Sequence, residues 1–168
     1  VFILSDERLS SDKEFSNEHM VDKELLMRIA ESEKPVLIKY NRFGDQKKIE
    51  TILNCKIPVL TILGLGSDGH CASLFPGNSG IFSSKNSKIC LKVNNPWEQY
   101  SRISLSFSYL MKSKKIIFLV SGKDKAEALK ECLVGKPNPS KYPTQYLFQN
   151  FKNRIHVLCD KSAGAYVK

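Results

Sequence analysis

The stretch PVLTILGLGSDGHCASLFPG (58–77) sets a histidine directly behind a glycine-rich loop. A histidine with one free imidazole nitrogen can take a proton near neutral pH, which makes His70 a candidate general base. The apolar residues before the glycines predict a central parallel strand. CASLF behind them predicts a short helix closed by Pro76 and Gly77. At that helix start, positive potential would favour the neutral imidazole. The loop GLGSDG also matches the G-x-G-x-x-G pattern that dinucleotide-binding proteins turn toward a pyrophosphate. Its context excludes that use, because such a loop opens the first strand–turn–helix unit and is followed by an acidic residue about 20 positions on. Here the loop lies mid-chain, and FSSKNSKICLKV (82–93) holds no carboxylate. Gly66 and Gly69 keep a physical task, which is to turn the backbone sharply and expose N–H groups toward an anion.

The elements that must position this loop alternate along the chain. Residues 1–4 (VFIL), 35–40, 58–66, 90–93, 102–107, 114–122 and 154–160 read as strands, most of them apolar throughout. Helical spacing marks residues 16–30, with Ser16 as N-cap, then 45–53 and 123–133, the last stopped by Gly135 and Pro137. Strands alternating with helices predict a single α/β domain over residues 1–168, its mostly parallel sheet covered by helices on both faces. Such sheets bind ligands beyond the carboxyl ends of their strands. Four polar segments leave strands there: SDERLS, GLGSDGH, SGKDK and CDKSAG. Arg102, at the head of its strand, reads as a solvent-facing residue, Asp160 as an ordinary surface acid, and Asn17 as part of the Ser16 cap.

Composition narrows the function classes. The 168 residues carry 26 Lys+Arg against 17 Asp+Glu, a formal charge of +9 that favours anionic partners. The basic residues are scattered, with no Arg-rich block, which argues against a dedicated nucleic-acid reader. The five cysteines form no C-x-x-C pair, so neither a zinc site nor a redox pair is expected, and they read as buried thiols of a reducing compartment. No apolar run approaches the ~20 residues of a membrane span. A soluble cytoplasmic protein, away from membranes, is the expectation. The chain opens on VFIL without an initiating Met and reads as cut into.

GLGSDGHCASLFPG resembles the signature of the 6-phosphogluconolactonases, within the family they share with the glucosamine-6-phosphate deaminases. Along the rest of the chain, SDERLSSDKEFSNEHMVDKELL is similar to the family's D-E-R segment and following S-N helix, SRISLSF to its R-I-S/T-L strand, FLVSGKDKAEAL to its S/T-G-x-x-K element, and RIHVLCDKSAGA to its closing strand and helix. The resemblance implies a Rossmann-like fold of the sugar-phosphate isomerase/lactonase type and hydrolysis of 6-phosphogluconolactone in the oxidative pentose phosphate pathway. It implies His70 as the base acting on water with Asp6 beside it, Arg8 and Lys125 on the 6-phosphate, and the loop residues Gly66, Asp68 and Gly69 against the substrate. It implies no metal or other cofactor, a phosphorylated sugar lactone as the only partner, and a monomer or weak homo-oligomer. Two departures stand out. The family's upstream strand, S-G-G-S/T loop and helix are not in this sequence, and the usual G-P-D-G-H-T-A is here GSDGHCA. The deaminase branch would need a carboxylate where this chain has Phe75, and a non-catalytic relative that keeps only the sheet is the third alternative.

Overall fold

The computed structural model describes residues 1–40, 46–82, 88–94 and 99–167. Asp45, expected to begin a helix, lies outside them. Eight strands follow in chain order: β1 (Phe2–Ile3), β2 (Asp6–Arg8), β3 (Leu37–Ile38), β4 (Leu60–Leu63), β5 (Cys90–Val93), β6 (Arg102–Leu105), β7 (Lys115–Val120) and β8 (Ile155–Cys159). The α-helices are α1 (Asn17–Glu24), α2 (Gln46–Leu53), α3 (Phe107–Leu110), α4 (Ala126–Val134) and α5 (Gln145–Phe151). The pairings β1–β3, β4–β7 and β7–β8 are parallel, and β2–β6 and β5–β6 antiparallel, so the α/β expectation holds with parallel pairing in the majority.

The order β4-β7-β8 puts β7, and not the expected β4, at the centre of its sheet. Alternation along these strands splits their apolar residues between two faces. Leu63, Ile116, Phe118 and Val120 are buried in one core with Ala128, Leu129 and Cys132 of α4 and Leu147 and Phe148 of α5. The Phe118 and Phe148 rings meet at 5.2 Å. On the opposite face Leu60, Ile62, Leu119 and Leu158 are 49–60% exposed.

Three local departures matter for the site. The D-E-R residues, expected in a loop, form β2, held in register against β6 with Asp6 opposite Ser104 and Arg8 opposite Arg102. The first helix stops at Glu24, well short of residue 30, and continues as separate turns at Leu26–Arg28 and Glu31–Glu33. No side chain of α1 is buried, so nothing packs it into a longer helix. The expected helix over CASLF is instead a tight turn, in which Cys71 bridges Leu74 and Ala72 sits at φ +50°. His70 thus has no helix N-terminus behind it and no helix potential acting on its ring.

Candidate active site

The carboxyl ends of β4, β7 and β8 lie at one edge because all three strands run parallel. The loop from Gly64 to His70 leaves β4 there. Two hydrogen bonds fold it onto itself. The Gly66 N–H donates to the His70 carbonyl at 2.8 Å, and the Gly69 N–H donates to the Gly66 carbonyl at 2.9 Å. Those two amides are therefore hydrogen-bonded inside the loop, where the sequence led to the expectation of N–H groups open to an anion. The glycines are needed for closeness instead. A Cβ on Gly66 would overlap Nδ1 and Cε1 of His70 and come within 2.6 Å of Asp68 Oδ1. Gly69 adopts φ +81°, and a Cβ there would meet Tyr142 Cδ1 at 2.7 Å.

This packing brings Asp68 Oδ1 to 2.5 Å from His70 Nδ1, and the same oxygen accepts the His70 backbone N–H at 3.2 Å. A carboxylate on Nδ1 fixes the tautomer with the proton there and leaves Nε2 as an acceptor. Partial burial pushes the Asp68 carboxyl up, but the hydrogen bonds and charge of His70 outweigh it and hold Asp68 below its ordinary value. Asp68, expected on the substrate, is thus the residue that orients the His70 imidazole. On its other flank the His70 ring packs on Phe75, centroids 4.6 Å apart at 48°. The turn is propped from outside as well: the Thr144 N–H donates to the Gly69 carbonyl at 3.0 Å, and the Gly77 N–H to the Ser140 carbonyl at 3.1 Å.

Asp6 is buried on β2 and is not hydrogen-bonded to His70. Its Oδ2 accepts from Ser73 Oγ at 2.6 Å and stands 3.6 Å from Arg102 Nη1, while Ser5 Oγ donates to Oδ1. Arg102, expected to face solvent, does not. Its side chain is 11% exposed, and its guanidinium lies 5.4 Å from the Phe75 ring centroid. The cause is that β6 is buried along its whole length, so its polar residues face partners and not water.

Arg8 donates from Nη1 to Phe15 O at 3.2 Å and to Asn17 Oδ1 at 2.9 Å, both neutral oxygens. Asn17 also donates to the Asp6 carbonyl, so it does more than extend the Ser16 cap. A cleft of about 240 Å³ adjoins Arg8, but its wall includes Glu18 and Asp22 and does not include His70. The same wall carries Arg8, Lys13 and Lys39, the last paired with Glu18 and Asp22, so its charge is mixed. Lys125 stands in the turn after β7, its Nζ 3.0 Å from Asp124 Oδ2. That turn begins at Gly122, φ +102°, and is tied to the end of β8 by Asp160, whose Oδ2 accepts from Ser121 Oγ and the Gly122 N–H. Those hydrogen bonds hold Asp160 below the usual carboxylate value. Its role is to shape the Lys125 turn. The structure therefore joins His70, Asp68, Gly66 and Gly69 directly, links Asp6 through Ser73 and Phe75's neighbour Arg102, and sets Arg8 and Lys125 on adjoining elements without direct contact to His70.

Among the described residues no cluster of His, Cys, Asp and Glu has metal-ligand geometry, and no helix is long and apolar enough to cross a membrane. The sequence model of the glucosamine-6-phosphate isomerases/6-phosphogluconolactonases matches residues 1–157. A 6-phosphogluconolactonase of Helicobacter pylori is 39% identical over 80 residues, 46% of this chain and 34% of that protein. One of Caulobacter vibrioides is 27% identical over 165 residues, 92% of this chain and 69% of that protein. The crystal structure of 6-phosphogluconolactonase from Leishmania guyanensis superposes with a TM-score of 0.80 at 26% identity, covering 99% of this chain and 74% of that one. The chain spans 34–41% of the length of the first curated relatives it matches.

Proposed function

We propose, from the premise that this chain belongs to the glucosamine-6-phosphate isomerase/6-phosphogluconolactonase family, that it carries the hydrolytic site of a 6-phosphogluconolactonase. The reaction is 6-phospho-D-glucono-1,5-lactone plus water to 6-phosphogluconate and a proton. The observation that carries the reading is the 2.5 Å contact of Asp68 Oδ1 with His70 Nδ1, which leaves Nε2 to act as the base.

In this mechanism Nε2 of His70 takes a proton from water as the water oxygen bonds to the lactone carbonyl carbon, and the carbonyl electron pair moves onto its oxygen. The imidazolium that forms is steadied by the Asp68 carboxylate. Collapse of the tetrahedral intermediate breaks the ring C–O bond, and the ring oxygen leaves with the proton held on Nε2, so His70 returns neutral. Arg8 and Lys125 meet the 6-phosphate, Arg through its planar fork and Lys as a point charge. Asp6 contributes by fixing Ser73 and Arg102 next to the loop. The deaminase branch is disfavoured by Phe75, an apolar ring where an acid/base carboxylate would be required.

The test is proton release from freshly prepared 6-phosphogluconolactone, followed against the uncatalysed rate, alongside ammonia release from glucosamine 6-phosphate. Lactone hydrolysis that disappears in His70→Ala is expected. Ammonia release at a comparable rate would overturn the assignment.

A further inference from the structure

We infer that Phe75 and Arg102 form a positioning device for the His70 imidazole, anchored by Asp6; the inference rests on His70 being the base proposed above. A hydrogen bond at Nδ1 alone leaves the imidazole free to swing about the line to Asp68 Oδ1. A second contact, a ring packed at a tilt against the imidazole, removes that freedom. Phe75 supplies it at 4.6 Å, and Phe75 is itself only 8% exposed.

Phe75 is backed in turn by the guanidinium of Arg102 at 5.4 Å, within the range where a cation and a ring face attract. Arg102 is held by Asp6 Oδ2 at 3.6 Å and reaches Ser73 Oγ at 3.5 Å. Ser73 is fully buried and also donates to Asp6, while its backbone N–H donates to Ser104 Oγ at 3.1 Å. The run Asp6–Arg102–Phe75–His70 therefore connects a buried sheet residue to the reacting ring. Arg102 thus stands between the Asp6 carboxylate and the Phe75 ring.

The chain has three histidines, His19, His70 and His156, so the His70 ring protons can be assigned by comparison with His70→Asn and read without any substrate. Phe75→Leu keeps apolar volume and removes the ring. It is expected to shift the His70 ring resonances, through the lost ring current and a broadened orientation, and to lower kcat ~10-fold while KM stays within about twofold. Phe75→Tyr, which keeps the ring, should restore both. Arg102→Lys keeps the charge beside Asp6 but loses the flat guanidinium, and should shift the same resonances with a smaller fall in kcat. This variant carries the test should Phe75→Leu fail to fold. Unchanged His70 resonances in folded Phe75→Leu or Arg102→Lys, or a change in KM with kcat intact, would overturn the inference. A wild-type protein that hydrolyses no lactone would instead overturn the proposed reaction, and the resonances would still decide the positioning.

Discussion

Arg8 and Arg102 face each other across the antiparallel β2–β6 pair, and the Arg102 guanidinium stands 3.6 Å from the Asp6 carboxylate. Like charges opposite one another on a sheet repel unless something compensates them. Arg102 is compensated by Asp6, whereas the Arg8 guanidinium bonds to neutral oxygens of Phe15 and Asn17. The two arginines of one register pair thus have different tasks.

Arg8→Ala is accordingly expected to raise KM for the phosphorylated lactone about 10- to 100-fold, the equivalent of one charge-assisted contact. Lys125→Ala should act in the same direction. Neither should much alter hydrolysis of the non-phosphorylated lactone, since both charges would touch only the phosphate. Steady-state kinetics on the two substrates check this, and equal losses on both would place these residues elsewhere.

The Asp68–His70 pair predicts a pH dependence with a definite sign. Burial alone would push Asp68 up, and His70 brings it below its ordinary value. His70→Ala should therefore move the Asp68 titration upward, as followed by carboxyl NMR. A carboxyl lowered in the folded state stabilises fully above its unfolded value and loses that stabilisation as pH falls through the folded one. The stability gap between wild type and His70→Ala should consequently be present at neutral pH and shrink in acid, below the usual carboxylate range. A gap that widened in acid would contradict the pairing. His70→Ala should also lower kcat ~100-fold or more, with a smaller effect on KM.

Much of this is legible in the sequence, for reasons particular residues make plain. GLGSDGH can be read because glycines packed around a histidine mark a place where backbone must come close to a side chain, and the structure shows Gly66 touching the ring it makes room for. The strands β7 and β8 announce themselves by apolar runs, although only β7 buries alternate residues, Ile116, Phe118 and Val120. Arg102 is not legible, because its burial depends on a register partner nearly a hundred residues earlier in the chain. The cue available is a polar pair, Arg102 and Ser104, at alternate positions of an otherwise apolar strand. Phe75 stands out in the sequence only where the deaminase branch needs an acid. Its contact with His70 arises from the turn at Ala72, whose positive φ no local pattern foretells.

Glu7 offers a test of the scaffold. It is 5% exposed, and its two oxygens accept the backbone N–H groups of Asn17 at 2.8 Å and Glu18 at 2.7 Å and the Ser16 hydroxyl at 3.1 Å. It thereby closes the start of α1, a helix that buries none of its own side chains. Glu7→Ala leaves those donors without their partner and should cost about 2 kcal/mol, lowering Tm by roughly 4–8 °C for a chain of this size. Thermal unfolding measures it, and an unchanged Tm would show that α1 is held by something else.

The cysteines give a chemical readout of the same loop. Cys71 follows His70 directly and is 1% exposed, while Cys90 and Cys132 are also buried. Burial pushes each of these three thiols up to about 12. Since the thiolate is the nucleophile, they should resist alkylation in the folded protein near pH 8, whereas exposed Cys55 and Cys159 should react. Mass spectrometry after brief iodoacetamide treatment should find two labels, and five after denaturation. The Phe75→Leu variant sharpens the test, because a ring that props His70 also covers the turn holding Cys71. Faster labelling of Cys71 in that variant, with Cys90 and Cys132 still protected, would report local opening of the turn and not general loosening of the core. Labelling of Cys71 in the intact wild type as fast as Cys55 would mean that the turn is open, and the fixed orientation of His70 would have to be abandoned.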